Sequence, residues 1–126
     1  MSTPAELQYT KTHEWVRMED DVATVGITEH AQDELGDVVF VELPETGSSF
    51  EAGEAFGTVE SVKAVSDLNA PVGGEVVEVN SGLEDSPEKI NEDPYGEGWI
   101  LKLRVSGETE LLSANEYEKV VEEESS

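Results

Sequence analysis

Hydrophobic and polar residues alternate with a period of two along most of the chain from about residue 13 onward. This alternation is typical of β-strands that bury one face, whereas amphipathic helices repeat about every 3.6 residues. The strands that it predicts cover residues 13–18, 22–27, 38–43, 57–61, 65–70, 75–79 and 99–105. Many short strands with little helix indicate a mainly β fold, either a sandwich or a flattened barrel.

The alternation also assigns side chains to faces. In the last predicted strand, Trp99 and Leu101 fall on one face, and Ile100 falls on the other face beside Lys102. Ile100 is therefore expected among the polar residues of that strand.

Helices are indicated by capping and turn residues. Thr28 can cap a helix over residues 29–35 that ends at Gly36. The Ser-Pro pair at 86–87 predicts about one further helical turn. A capping box and a hydrophobic staple predict a C-terminal helix; their residues are Ser113, Glu116, Leu112 and Tyr117.

The composition limits the chemistry that the chain can perform. The 126 residues suffice for one domain, 1–126, with its own core. The absence of cysteine excludes disulfides, a thiol nucleophile and cysteine-ligated zinc or iron–sulfur sites. His13 and His30 are the only histidines, so a multi-histidine cage is excluded and no metal site is expected.

The chain is strongly acidic, with 30 acidic and 7 basic residues and a formal net charge of −23. So few cations cannot form the basic face that binds nucleic acid or an anionic membrane. The acidity indicates either a partner-facing surface or adaptation to a very salty cytoplasm, and the size of the excess favours salt adaptation. A monomer is expected from the charge. No targeting segment or membrane span is recognisable, which predicts a cytoplasmic protein.

Lys63 lies between two predicted strands, in the segment Glu-Ser-Val-Lys-Ala at 60–64. A tight turn would present its amine on a rigid base, which is what an acylating enzyme requires. From the composition alone, an ordinary solvated lysine is the better explanation of this position.

Four blocks of the sequence together carry a resemblance to a known family. They are FGTVESVKAVSDLNAPVGGEVVEVN at 56–80, HEWV at 13–16, VGITEHAQDELGDVVFVELPETG at 25–47 and NEDPYGEGWILKL at 91–103. These blocks resemble the glycine cleavage system H-protein family, and the first resembles its lipoyl-attachment motif. The resemblance implies a barrel-sandwich hybrid of two antiparallel sheets, with short helices, a C-terminal helix and an attachment hairpin at about 56–80.

The resemblance also implies a role. Lys63 corresponds to the lysine that carries lipoic acid in amide linkage, and Glu60 and Gly74 match positions recognised by the lipoylating enzyme. Gly74 is expected to meet a backbone turn requirement in any case. Members of the family are non-catalytic carrier proteins that shuttle the aminomethyl group of glycine. Its partners are glycine decarboxylase (P protein), the tetrahydrofolate-dependent aminomethyltransferase (T protein) and dihydrolipoamide dehydrogenase (L protein).

The same resemblance places an arm-docking cleft at Glu14, Asp67 and Thr12, where a carboxylate would hold the ammonium group of the load. In a chain with 30 acids, Glu14 and Asp67 could instead be ordinary solvated charges, and Thr12 is expected only as a nearby polar contact. Glu34 stands where some relatives have histidine, which would make the cleft more acidic. His30 is interpreted as a satisfied structural histidine at the start of a helix rather than a contact to the arm.

Other classes fit the sequence less well. Val62 and Ala64 flank Lys63, whereas biotinyl domains usually have methionines there. Lipoyl domains of 2-oxoacid dehydrogenases are shorter and lack the 13–16 and 91–99 blocks. No nucleophile elbow or phosphate loop supports a hydrolase. A lipoyl-relay protein and an unmodified acidic binding module with the same fold remain alternatives.

Overall fold

The computed structural model describes residues 4–106 and 111–125, which form two antiparallel sheets with short helices and a C-terminal helix. This is the mainly β architecture expected from the sequence. The six-stranded sheet has the order β1-β2-β3-β9-β8-β5, and the three-stranded sheet has the order β4-β6-β7. The strands are β1 Gln8–Tyr9, β2 Glu14–Glu19, β3 Val22–Ile27, β4 Val38–Glu42, β5 Ser49–Phe50, β6 Ala55–Ser61, β7 Val65–Asn69, β8 Gly74–Val79 and β9 Leu101–Val105.

The helices begin and end close to the predicted signals. The Thr28 hydroxyl accepts a hydrogen bond from the Ala31 N–H at 3.2 Å, which caps the first helix. Before the last helix, Ser113 and Glu116 exchange the two hydrogen bonds of a capping box, at 2.9 and 3.2 Å. The helices are α1 Glu29–Leu35, α2 Gly82–Asp85, α3 Lys89–Glu92 and α4 Ala114–Ser125. In the described ranges, none of these helices is long and apolar enough to cross a membrane.

The hydrophobic core forms two clusters. The larger cluster joins the two sheets, with Val25 and Leu103 from one sheet packed with Val59 and Leu68 from the other. The smaller cluster fixes α4 against β1 and β2, and its members include Tyr9, Trp15 and Tyr117. Tyr9 and Tyr117 stack with ring centroids 4.8 Å apart. Burying side chains of this size stabilises the fold by about 1.5–3 kcal/mol each.

The prediction for Ile100 is wrong. Ile100 has no exposed surface and packs in the larger core cluster, and β9 begins only at Leu101. The neighbouring Trp99 packs against the smaller cluster instead. Because the consecutive residues Ile100 and Leu101 both pack in the larger cluster, the strand alternation cannot be extended back through Ile100.

Candidate functional site

Lys63 lies at the tip of the hairpin formed by β6 and β7. Ser61 closes this turn, because its N–H donates to the Ala64 carbonyl at 2.8 Å and its hydroxyl oxygen accepts from the Ala64 N–H at 3.1 Å. The Lys63 N–H also donates to the Ser61 hydroxyl, at 3.3 Å. Ser61 is buried while Lys63 is exposed, so the amine stands on a turn held by its own hydrogen bonds.

The segment that follows α1 supports the hairpin tip. The Val62 N–H donates to the Asp37 carbonyl at 3.0 Å. Gly36 ends α1 with a φ of 80°, in the left-handed region that favours glycine. A Cβ atom at Gly36 would lie 3.5 Å from Cε of Lys63, so the lysine stem passes directly over the end of α1.

A groove of about 490 Å³ opens beside this hairpin, between β7 and α1. It begins near the lysine, because Leu35 precedes Gly36 in the chain and Leu35 lines the groove. Thr12, Glu14 and Asp67 all line it, so the structure brings the three predicted cleft residues together.

Glu14 is the buried acid of the groove, with 2% of its surface exposed. Its carboxylate accepts hydrogen bonds from the hydroxyls of Thr10, at 2.7 Å, and Thr12. Burial raises the pKa of the Glu14 carboxyl above its usual value, while these bonds and one from the Asn69 backbone oppose the rise. A buried carboxylate with pre-oriented donors is well suited to binding a cationic group.

The groove is negatively charged. Besides Glu14, the exposed acids Glu34, Asp67 and Glu124 line it, and its lining within the described residues includes neither lysine nor arginine. Glu34 therefore does face the cleft, as the comparison with histidine-bearing relatives supposed. A concave surface with charges of one sign attracts ligands of the opposite sign, so the groove favours a cation.

The two predicted recognition residues lie elsewhere. Glu60 is an exposed residue of β6 paired with Phe40 and Val65, close to the hairpin tip. Gly74 belongs to the other sheet and lines a different cavity.

The interpretation of Gly74 as a turn residue is wrong, because it is the first residue of strand β8. The reason for glycine is a close backbone approach, since a Cβ atom there would lie 2.3 Å from the Arg104 carbonyl oxygen.

The two histidines were not expected to meet. Their ring centroids are 4.8 Å apart, and both histidines line the groove. His30 is buried as predicted, but the expectation that its hydrogen bonds are satisfied is wrong, because its Nε2 atom has no hydrogen-bond partner. Glu34, one helical turn later, lies 3.4 Å from that atom with a largely exposed side chain and forms no hydrogen bond with it. No local pattern could reveal this pair, which depends on how β2 and α1 pack.

Comparisons with known proteins show which family this chain is similar to. A family model described as glycine cleavage H-protein matches residues 7–124. A glycine cleavage system H protein from Rubrobacter xylanophilus is 70% identical over 121 residues, which cover 96% of each chain. One from Staphylococcus epidermidis is 56% identical over 126 residues, covering 98% of this chain and 100% of that one.

A solved structure extends the agreement to the fold. The crystal structure of a glycine cleavage system H protein from Mycobacterium marinum is similar with a TM-score of 0.88 and 46% identity, covering 92% of this chain and 96% of that one. Its agreement with the two sheets described above confirms the lipoyl-domain-like barrel-sandwich fold. Because the family model and these relatives span almost the whole chain, the chain belongs to the glycine cleavage H-protein family.

Proposed function

We propose that this chain is a lipoyl carrier of the glycine cleavage system and that lipoic acid is attached in amide linkage to Nζ of Lys63. Membership of the family supports the carrier role. The observation that carries the assignment of the residue is the position of Lys63, exposed on a turn closed by Ser61 and directly beside an acidic groove.

The residues present fit a lipoyl group. The amine of Lys63 is accessible, and its stem passes Gly36 at van der Waals distance, next to the end of the groove. Ile27, Leu35 and Leu68 give the groove an apolar wall for the hydrocarbon part of the arm. When attached, the lipoyl disulfide supplies the reversible sulfur chemistry that a chain without cysteine lacks.

The residues of the chain bind and orient rather than react. Lys63 would hold the arm, and the groove would shield the end of the arm from water. Glu14 would hold a cationic amino group at that end through a charge-assisted hydrogen bond, and the hydroxyls of Thr10 and Thr12 fix the direction of its carboxylate. Asp67, at the groove's exposed side, adds negative charge. The chain thus acts as a non-catalytic carrier.

We also propose the partners of the chain from its membership of the family. As a monomer, the chain would present the arm in turn to glycine decarboxylase, to the aminomethyltransferase and to dihydrolipoamide dehydrogenase. The lipoylating enzyme would contact Glu60, which is exposed near Lys63. Gly74 would act indirectly, through the close packing of β8 on β9.

The test is the intact mass of the chain purified from lipoate-replete cells, followed by peptide mapping. We expect an added mass of one lipoyl group at Lys63, lost in Lys63→Arg and retained in the matched variant Lys119→Arg. Lys63→Arg should also abolish glycine-dependent NADH formation by the reconstituted system. An unmodified Lys63 would favour an acidic binding module, and a lipoylated chain inactive in that system would favour a lipoyl relay.

A further inference from the structure

One end of the groove brings together His13, His30 and Glu124. One ligand atom from each of these residues lies within 4.8 Å of those from the other two. The residues come from widely separated parts of the chain: His13 precedes β2, His30 lies in α1 and Glu124 lies near the end of α4. Imidazole nitrogens and a carboxylate oxygen are the donors that zinc binds in the absence of cysteine.

The His30 imidazole has a buried ring nitrogen whose hydrogen-bonding capacity is unsatisfied. Its side chain is 9% exposed, and its Nε2 atom is buried without a hydrogen bond. A buried polar atom without a partner costs about 1–3 kcal/mol, and such atoms are rare in native proteins. His30 lines the same groove as His13 and Glu124, so a metal ion bound between the three side chains would give its imidazole a partner.

The His13 imidazole is held as metal-bound histidines usually are. Its Nδ1 atom lies 2.7 Å from the Tyr117 hydroxyl, which in turn lies 2.6 Å from the Thr28 hydroxyl. Such a partner on the second ring nitrogen fixes the orientation and tautomer of a ligating histidine. The free end of the ring, Nε2, is directed at Glu124, whose Oε1 atom is 3.0 Å away.

The spacing of these atoms suits a tetrahedral zinc ion. Two atoms bound to one such ion at about 2.0–2.2 Å lie about 3.3 Å from each other. The separation between His13 Nε2 and Glu124 Oε1 is 3.0 Å, close to that value. All three ligand atoms lie within 4.8 Å of one another, so binding one ion requires them to move closer by side-chain rotation; the Glu124 side chain, 47% exposed, is the most accessible of the three.

We propose that His13, His30 and Glu124 bind a divalent transition-metal ion of the zinc class, with the fourth position open to the groove. Composition argued against a cage of several histidines, whereas this site needs only the two, whose ring centroids lie 4.8 Å apart. Mg²⁺ and Ca²⁺ prefer all-oxygen sites and should therefore bind weakly to these two imidazoles and one carboxylate. The proposal does not require lipoylation of Lys63.

The experiment uses the full chain without a histidine tag, produced in cells that cannot lipoylate it, because arm thiols would bind zinc themselves. Zn²⁺ is titrated by calorimetry at about pH 7.5, where most imidazoles are neutral. Co²⁺ serves as a spectroscopic probe, since four-coordinate cobalt absorbs visible light far more strongly than six-coordinate cobalt. We expect one ion per chain with a Kd in the range of about 10 µM or tighter.

The variants separate this site from the remaining acids. His30→Gln and His13→Asn should each weaken binding roughly tenfold or more, asparagine being chosen because it tolerates the φ of 70° at residue 13. Glu124→Gln should also weaken binding, whereas the matched exposed variant Glu122→Gln should not. Circular dichroism checks that each variant is folded. If His13→Asn does not fold, Glu124→Gln still tests the site, because Glu124 is exposed.

Three results would overturn the proposal. They are the lack of a stoichiometric ion, Zn²⁺ binding that is unchanged in His30→Gln, and displacement of Zn²⁺ by millimolar Mg²⁺, which would mean binding to surface carboxylates. Because the protein used carries no lipoyl group, none of these results depends on whether Lys63 is the attachment site.

Discussion

At the scale of the residue, Glu14 carries a carboxyl group that the fold buries at a cost. Burial raises the pKa of this carboxyl above 4.5, so the folded chain holds the proton more tightly than the unfolded chain does. Ionisation of Glu14 therefore reduces stability as the pH rises from 4.5 through the raised pKa, and the reduction is constant above it. Such a cost is typical of groups kept for function.

We therefore expect Glu14→Gln to be more stable than the unchanged chain at pH 7, with a difference that shrinks as the pH falls toward 4.5. The measurement is urea denaturation at several pH values between about 5 and 8. Glu19→Gln is the matched control, because Glu19 lies on the same strand, is exposed and carries the same charge. A Glu14→Gln chain that is less stable than the control at every pH would show that the threonine hydrogen bonds outweigh the burial.

At the scale of the element, Asn91 of α3 joins the parts that support Lys63. Its amide nitrogen donates to the Gly36 carbonyl at 2.8 Å and to the Gln32 side chain at 2.9 Å. Its amide oxygen accepts from the Val38 N–H at 2.8 Å. One side chain thus connects the end of α1 to the start of β4, next to the segment that contacts the hairpin tip.

Replacing Asn91 with alanine should destabilise the chain by about 1–3 kcal/mol, because the Val38 N–H loses its acceptor in a partly buried setting. Hydrogen exchange should become faster at Val38 and at Val62. The N–H group of Val62 donates a hydrogen bond to the carbonyl of Asp37, which precedes Val38 in the chain.

Asn80→Ala is the matched control for Asn91→Ala. Asn80 also donates to two backbone carbonyls, those of Glu97 and Trp99, but it lies away from the hairpin. The Asn80→Ala variant should destabilise the chain without selectively increasing the rate of hydrogen exchange at Val62. Equal exchange at Val62 in both variants would contradict the bracing role of Asn91.

Elements with local signals were predictable from the sequence, and elements defined by pairing were not. Helix α1 was predicted at its observed bounds, because Thr28 and Gly36 mark its ends. Strands β1 and β5 have two residues each, too few to show alternation, and exist because Tyr9 pairs with Trp15 and Ser49 with Glu75. Helix α2 was not predicted, because its four residues are too few to show a helical period.

The site divides in the same way. Glu14 and Asp67 were predicted through the family resemblance, since no periodicity brings residues 53 positions apart into one groove. The contact between His13 and Glu124 spans 111 residues. It depends on the packing of α4, through Tyr117, against β1 and β2, which is a tertiary feature without a local sequence signal.

At the scale of the whole molecule, charge is the dominant property. A net charge of −23 on 126 residues makes the folded state repel itself more than the expanded chain does. The ion pairs that offset it, such as Lys102 with Glu78 at 3.8 Å and Arg104 with Asp21 at 3.9 Å, are exposed and contribute little. Screening by salt should therefore matter more here than in a protein of balanced charge.

We expect dialysis from molar NaCl into a buffer of low salt to loosen or unfold the chain, because the screening length grows from about 3 Å at 1 M to about 30 Å at 0.01 M. Far-ultraviolet circular dichroism at each salt concentration measures the loss of secondary structure. A control chain with Glu45, Glu84 and Glu118 changed to glutamine, all three exposed, should retain its structure at lower salt. Its response separates charge repulsion from general salting effects, which act equally on both chains. An unchanged dichroism spectrum of the parent chain at low salt would rule out salt adaptation and identify the acidity as a surface for partners.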